Sequence, residues 1–366
     1  MALIPKYAIA TFILTFLLLS TSCKTANDKI SKLTIDSKVL DSLVHSKMDS
    51  LKIVGLSLAV IEKDNIMHKG YYGNANLEQG IKVDSKTIFE AASISKSVFA
   101  YFTMKMVEQE KLNLDLPLAE YLPLENFEDH PYAKILTARM VLAHKSGLPN
   151  WRFLEEDGAL KFMFEPGTSF NYSGEGYEYL ADVLAHINNV DRQGLETIIQ
   201  EEIFNPLNMK NSGFITTSVL KKNKAMGYEG LKPGESLPDE LPYFGAAFNL
   251  VTNVDDFSKF VLALLQEQNL NSKLYKEMFS SQAVLPADES LRIEDGFDSW
   301  GLGFMRAKEP YGLKIAHGGI NPSFQGYFML VPEKDFGFVF FTNSTNGLEI
   351  LPYLEDYFEK NFLNHQ

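Results

Sequence analysis

The strongest constraint on this chain is where its strand-forming runs fall. Apolar or alternating runs suited to strands occur early, at 55–61 and 66–72, and again late, at 313–316, 325–331 and 337–341. Turn signals separate them, Lys63-Asp64-Asn65 early and Pro332-Glu333-Lys334-Asp335 late. Between the two groups apolar residues recur at helical spacing, over 95–110, 137–144, 176–188, 194–204 and 254–268. Further helical patterns, at 36–51 and 349–362, flank the strand groups. Strands split this way bury their apolar faces in one antiparallel sheet only if the two ends of the chain meet. The sequence therefore predicts an α+β fold. An antiparallel sheet is built from N- and C-terminal strands and flanked by helices. A mainly helical middle lobe is inserted at about 112–290, and the cleft between lobes is the natural place for a site. With 45% hydrophobic residues over 366, the chain has material for one large domain, taken as 37–366. The stretch 229–243, rich in Gly, Pro and Glu, reads as a surface loop.

Residues 1–22 carry Lys6, then an apolar run, then Ser20, Thr21 and Ser22, the layout of an export signal and too short for a comfortable membrane span. Cys23, the single cysteine, follows at once and resembles the lipidation site of a bacterial lipoprotein, with 23–36 as a polar tether. The expectation is an exported protein of the bacterial cell envelope, held to a membrane by a lipid at Cys23. A cleaved signal with an incidental cysteine, or an uncleaved anchor, would also work outside the cytoplasm. One cysteine excludes an internal disulfide and thiolate metal clusters. No His-Glu-x-x-His occurs, and His130 and His144 stand too far apart in sequence to suggest zinc, so neither metal nor cofactor is expected. A formal charge of -13 with no basic stripe argues against a nucleic-acid partner; Lys221, Lys222 and Lys224 read as a solvated face.

A serine hydroxyl needs a base beside it to act as a nucleophile. Ser93-Ile94-Ser95-Lys96 offers one: if a helix starts near Ser93, residues i and i+3 share a face and the amine reaches the hydroxyl. The spacing alone is weak, because Ser218-Val219-Leu220-Lys221 has it too and an ordinary helix start would explain either. Context separates them. Ser93 follows Ile88-Phe89-Glu90-Ala91-Ala92 and precedes an apolar-faced helix, whereas Ser218 sits among lysines. Only a buried lysine loses its preference for charge and becomes a usable base. No Gly-x-Ser-x-Gly elbow of an α/β-hydrolase occurs.

In these residues the chain resembles the class C β-lactamases and their relatives, which include D-amino-acid peptidases and esterases. Phe89-Glu90-Ala91-Ala92-Ser93-Ile94-Ser95-Lys96 is similar to their nucleophile motif. The run from Phe164 through Asn171-Tyr172-Ser173 to Tyr177 is similar to their tyrosine motif. His317-Gly318-Gly319 stands where the family has Lys-Thr-Gly or a His-Gly-Gly variant. Leu142 to Pro149, Pro206 to Met209 and Trp300 to Gly303 match further stretches, so the resemblance runs in order from about residue 40 to 365. It implies a β-lactamase-like fold, Ser93 as nucleophile, and Tyr172 as partner base with its phenol lowered by Lys96; the alternative for Tyr172 is a core tyrosine. It implies that His317 bonds the substrate or Tyr172, against a structural strand-end histidine. It also implies an oxyanion hole from the backbone N–H groups of Ser93 and Ile320, with Gly319 admitting the substrate beside the strand. Tyr177 and His144 read as structural.

Two positions depart from the family. Gly174 replaces an asparagine often found two places after the tyrosine, and His317 replaces a permanently charged lysine. Both fit an ester or a D-configured peptide better than efficient β-lactam hydrolysis. The expected function is thus a serine hydrolase working through an acyl-enzyme on a small-molecule or peptide acyl substrate. The alternative is a catalytically silent protein that binds cell-wall peptides or β-lactams in the same cleft.

Overall fold

The computed structural model describes residues 35–238 and 243–364; the 1–22 segment and Cys23 lie outside the described residues. Helix α1, Ser37–Leu51, begins where the Asp36 carboxylate accepts from the Lys38 and Val39 amides, and it buries Leu40, Val44 and Met48 at a four-residue spacing. Strands β1 (Gly55–Glu62) and β2 (Asn65–Asn76) form a hairpin, followed by β3 (Ile81–Lys82), β4 (Phe89–Glu90) and α2 (Ser95–Glu108). The middle of the chain holds α3 (Ala138–Leu142), α4 (Gly174–Ile187), α5 (Gly194–Ile199), α6 (Ser218–Lys222), α7 (Val254–Leu265), α8 (Ser272–Phe279) and α9 (Ser290–Ile293). Short strands β5 (Tyr228–Glu229), β6 (Lys232–Pro233), β7 (Val251–Thr252) and β8 (Ala283–Val284) interrupt them. The chain closes with β9 (Ser299–Trp300), β10 (Met305–Glu309), β11 (Gly312–Asn321), β12 (Phe324–Val331), β13 (Phe336–Thr342) and α10 (Leu351–Phe358).

Nine strands form one antiparallel sheet in the order β3-β2-β1-β13-β12-β11-β10-β9-β8. The ends of the chain do meet: β1 pairs with β13 from Leu56 opposite Thr342 to Glu62 opposite Phe336. Both strands are buried along their whole length, so helices cover both faces. Alternation along β13 sorts its aromatics. Phe341 faces α7, 5.5 Å from the Phe257 ring, and Phe338 faces α10, 4.8 Å from Phe358. The architecture is the α+β one expected.

Several details differ from the sequence reading. The helix expected over 137–144 stops at Leu142, because His144 turns into the left-handed region at φ 55. Within 229–243 the described residues include all of the β5–β6 hairpin except Tyr228. Lys224 is not on a solvated face: its ammonium is buried 2.8 Å from Glu90.

Candidate active site

Ser93 lies in a single 3-10 turn, Ala92–Ile94, that feeds directly into α2. The residue before it, Ala92, is buried and left-handed at φ 48, a conformation that costs a non-glycine residue on the order of 1 kcal/mol. Neighbours enforce it. The Ala91 amide donates to the Leu250 carbonyl (2.8 Å). The Ser95 hydroxyl donates to the Ala92 carbonyl (2.5 Å) and accepts from the Leu250 amide (3.0 Å). Strand β11 crosses so close that a Cβ on Gly319 would stand 2.2 Å from the Ala91 carbonyl oxygen, so a side chain there would push the strand off the turn that carries Ser93.

Lys96 extends from the first turn of α2 and is 1% exposed. Its Nζ lies 3.4 Å from Ser93 Oγ and donates to the Ala247 carbonyl at 2.9 Å. Loss of water lowers the amine to about 7, with Glu178 pulling the other way. Glu178 in turn accepts from the Ala247 amide (2.9 Å) and pairs with Arg192. Lys96 is therefore a lysine that can hold or release a proton near neutrality.

Tyr172 precedes α4, whose N-cap Ser173 accepts from the Gly176 amide at 3.0 Å. The Tyr172 hydroxyl is hydrogen-bonded with Ser93, and Lys96 Nζ sits 4.7 Å from its ring centre. The expected lowering of its phenol is not found. Burial raises it well above the usual tyrosine range, the Ser93 bond offsets only part of that, and Lys96 faces the ring. Tyr172 is thus a neutral phenol at neutral pH, and of the pair it is Lys96 that can give up its charge near neutrality. His144, fully buried, holds this geometry: its Nδ1 accepts from the Ser173 amide (3.0 Å) and its ring lies 4.2 Å from that of Tyr172. Tyr177 packs as expected, its hydroxyl donating to the Leu142 carbonyl at 3.2 Å.

His317 on β11 bonds the Gly318 carbonyl through Nδ1 at 2.6 Å, and no bond to Tyr172 is formed. A carbonyl only accepts, so the proton is on Nδ1 and Nε2 is a bare acceptor. That atom is buried without a hydrogen-bond partner among the described residues. Burial first, then the neighbouring Lys96, lowers the imidazole to about 3, which leaves it uncharged at neutral pH. Ser93, Tyr172, His317, Gly318 and Ile320 line one cleft of about 660 Å³, and Ile320 is 64% exposed at its rim. At Gly174 a Cβ would stand 2.6 Å from the Trp151 ring, so an indole fills the space a side chain would need.

Ser218, by contrast, opens an exposed helix. Among the described residues no group of three or more His, Cys, Asp or Glu is placed to hold a metal. Sequence reasoning missed Glu178, the Ala247 backbone and the clamp made by Ser95. Only Ser95 carried a signal, as the second serine of its motif.

A Ser–Lys–Tyr cluster with a buried lysine, and with its serine and tyrosine half-exposed to a cleft beside a strand of such a sheet, defines a site of serine-hydrolase type. The chain belongs to the β-lactamase family, whose model, described as Beta-lactamase, matches residues 40–357. It is similar to Protein flp of Staphylococcus aureus (strain MW2), 22% identical over 353 residues, covering 92% of this chain and 68% of that one. It is also 26% identical over 285 residues to the Bacillus subtilis (strain 168) protein named "Putative penicillin-binding protein PbpX", covering 74% of this chain and 65% of that one. Among solved structures, the octameric penicillin-binding protein homologue from Pyrococcus abyssi shares the fold, with a TM-score of 0.75 at 24% identity over 90% of this chain and 79% of that one.

Proposed function

We propose that the protein hydrolyses an ester or a D-configured peptide or amide through an acyl-enzyme at Ser93. One observation carries this reading: a buried Lys96 amine lies 3.4 Å from the Ser93 hydroxyl, where loss of water lowers it to about 7. Ser93 Oγ attacks the acyl carbon while Lys96 Nζ takes its proton. The backbone N–H groups of Ser93 and Ile320 receive the oxyanion. As the bond to the leaving group breaks, the proton passes from Lys96, through the neutral Tyr172 phenol, to the departing atom. Water then attacks the acyl-enzyme and gives a proton to Lys96; as the bond to Ser93 Oγ breaks, Lys96 returns that proton to Oγ, which restores the hydroxyl and releases the acid. The Trp151 ring in place of a side-chain amide at Gly174 favours esters, whose carbonyl needs less polarisation than an amide.

The test is a fluorophosphonate probe and a panel of p-nitrophenyl esters, D-aminoacyl anilides and nitrocefin. Ser93→Ala should abolish both adduct and turnover while the chain stays folded, and Ser218→Ala should leave both intact. An unlabelled wild-type Ser93 would instead mark a silent binding protein. The reading also places the protein in the bacterial cell envelope, anchored by a lipid on Cys23. Cys23→Ala should move it from the membrane to the soluble fraction; an unchanged distribution would remove the lipid from the account.

A further inference from the structure

The cleft that holds Ser93 continues past the reacting centre along β11, from Gly318 to Lys314. At Gly318 the strand has no side chain, and a Cβ there would meet nothing closer than the Tyr327 ring at 3.8 Å, so the floor is open directly beside His317. Three segments then supply apolar walls. Leu291 and Phe297 come from α9 and the chain that follows it, Met305 from β10, and Leu348 and Leu351 from the turn before α10 and its first residue. Leu351 lies one turn ahead of the buried Leu354 and two ahead of Phe358, on the apolar stripe of α10, yet it is only half-buried and lines the cleft. The charged groups along this stretch are paired or in water. The Lys314 ammonium lies 3.5 Å from Glu355 and 4.8 Å from the centre of the Phe297 ring, and Glu355 also accepts from the Tyr327 hydroxyl at 3.2 Å. Glu294 and Asp295 are exposed. A polar ligand group would have to break the Lys314–Glu355–Tyr327 pairing, whereas an apolar one leaves it intact.

We propose that the substrate carries an apolar chain, which lies along β11 between Leu291, Met305 and Leu351 while the reacting carbonyl is at Ser93. The inference rests on the acyl-transfer reading above and adds the chemical class of the substrate. Continuity fixes the occupant: the apolar walls and the Ser93 hydroxyl line one cleft of about 660 Å³, within the range of small-molecule sites, so a molecule attacked by Ser93 extends along those walls. The four residues from Gly318 to Lys314 span ~13 Å of strand, the reach of an extended chain of roughly ten carbons. Such a chain takes the half-buried Leu291, Leu348 and Leu351 out of water together with its own methylenes; an acetyl group would leave them wet.

Two series of esters test this. The p-nitrophenyl esters of acetic, butyric, hexanoic and octanoic acid put the chain on the acyl carbon; the acetates of ethanol, butanol, hexanol and octanol put it on the leaving group. In one of the two series kcat/KM should climb by about fourfold for each methylene that leaves water, and the series that climbs tells which side of the scissile bond the chain occupies. Leu351→Asp and, as a separate variant, Leu348→Ser should flatten that climb, read as the ratio of the longest to the shortest ester, while Leu351→Met should keep it. Rates independent of chain length in both series, or a climb that both polar variants leave untouched, would overturn the proposal. Calorimetry of octanamide against acetamide on the Ser93→Ala protein separates the two levels. If no ester is turned over but octanamide binds, and adding Leu351→Asp abolishes that binding, the hydrolase reading fails and the apolar specificity stands. If Ser93-dependent turnover shows no dependence on chain length and octanamide does not bind, the specificity fails alone.

Discussion

Lys96 reaches Ser93 with an amine that burial lowers to about 7, and Glu178 is the carboxylate that opposes the fall. His144 and His317 are both uncharged beside it, and Tyr172 keeps its proton, so one titration governs the reactive centre near neutrality. Below pH 7 the ammonium cannot take the Ser93 proton, and kcat/KM should drop about tenfold per pH unit under an apparent pKa near 7. Replacing Glu178 by Gln removes the interaction that raises Lys96, so this acid limb should move to lower pH. Arg192 retains Asp182 as a partner. A pH profile with a soluble ester checks this, with circular dichroism to confirm folding. A limb that stays in place would show that another group titrates. The proton assignment could not be read from the sequence. Residues 93 and 96 are neighbours on one turn and advertise their contact, but the burial that makes Lys96 a base and Tyr172 an acid comes from distant segments.

Among the elements, β4 sets the position of the turn that carries Ser93, and a buried ion pair fixes β4. Glu90 is fully buried and meets Lys224 at 2.8 Å, the Leu237 amide at 2.9 Å and the Asn321 amide, at the end of β11, at 2.7 Å. Removing one partner of such a pair leaves an uncompensated charge and costs about 3–5 kcal/mol. Glu90→Ala should therefore lower urea stability by that amount and slow fluorophosphonate labelling of Ser93; a change under about 1 kcal/mol would mean the pair is solvated after all. Lys224 was illegible because it follows Lys221 and Lys222 and its partner lies far off in the chain. The central strands were legible because they are continuous apolar runs buried on both faces. By contrast β10 was not read, since Arg306 within it is buried and breaks the alternation. Nor was α8, which buries only Tyr275 and Met278 and so carries a thin apolar stripe.

For the molecule as a whole, the pairing of β1 with β13 means that the sheet closes only when the last strand arrives. Strand β13 brings Phe336, Phe338, Val339, Phe340 and Phe341, all at most 2% exposed, into the centre of the sheet. At about 1.5–3 kcal/mol for each such side chain, their burial is worth on the order of 10 kcal/mol. That is comparable with the entire net stability of a typical domain, about 5–15 kcal/mol. Losing β13 would also expose the edges of β1 and β12 and uncover the apolar faces of α7 and α10. A chain ending after Lys334 keeps Ser93, Lys96, Tyr172 and His317, yet it should show no cooperative thermal transition and no fluorophosphonate labelling. Ser93 belongs to an early segment, but the cleft wall is β11, which is joined to β1 through β12 and β13. Cooperative melting and retained labelling in the truncated chain would show that the helical middle and the remaining strands form a self-sufficient core.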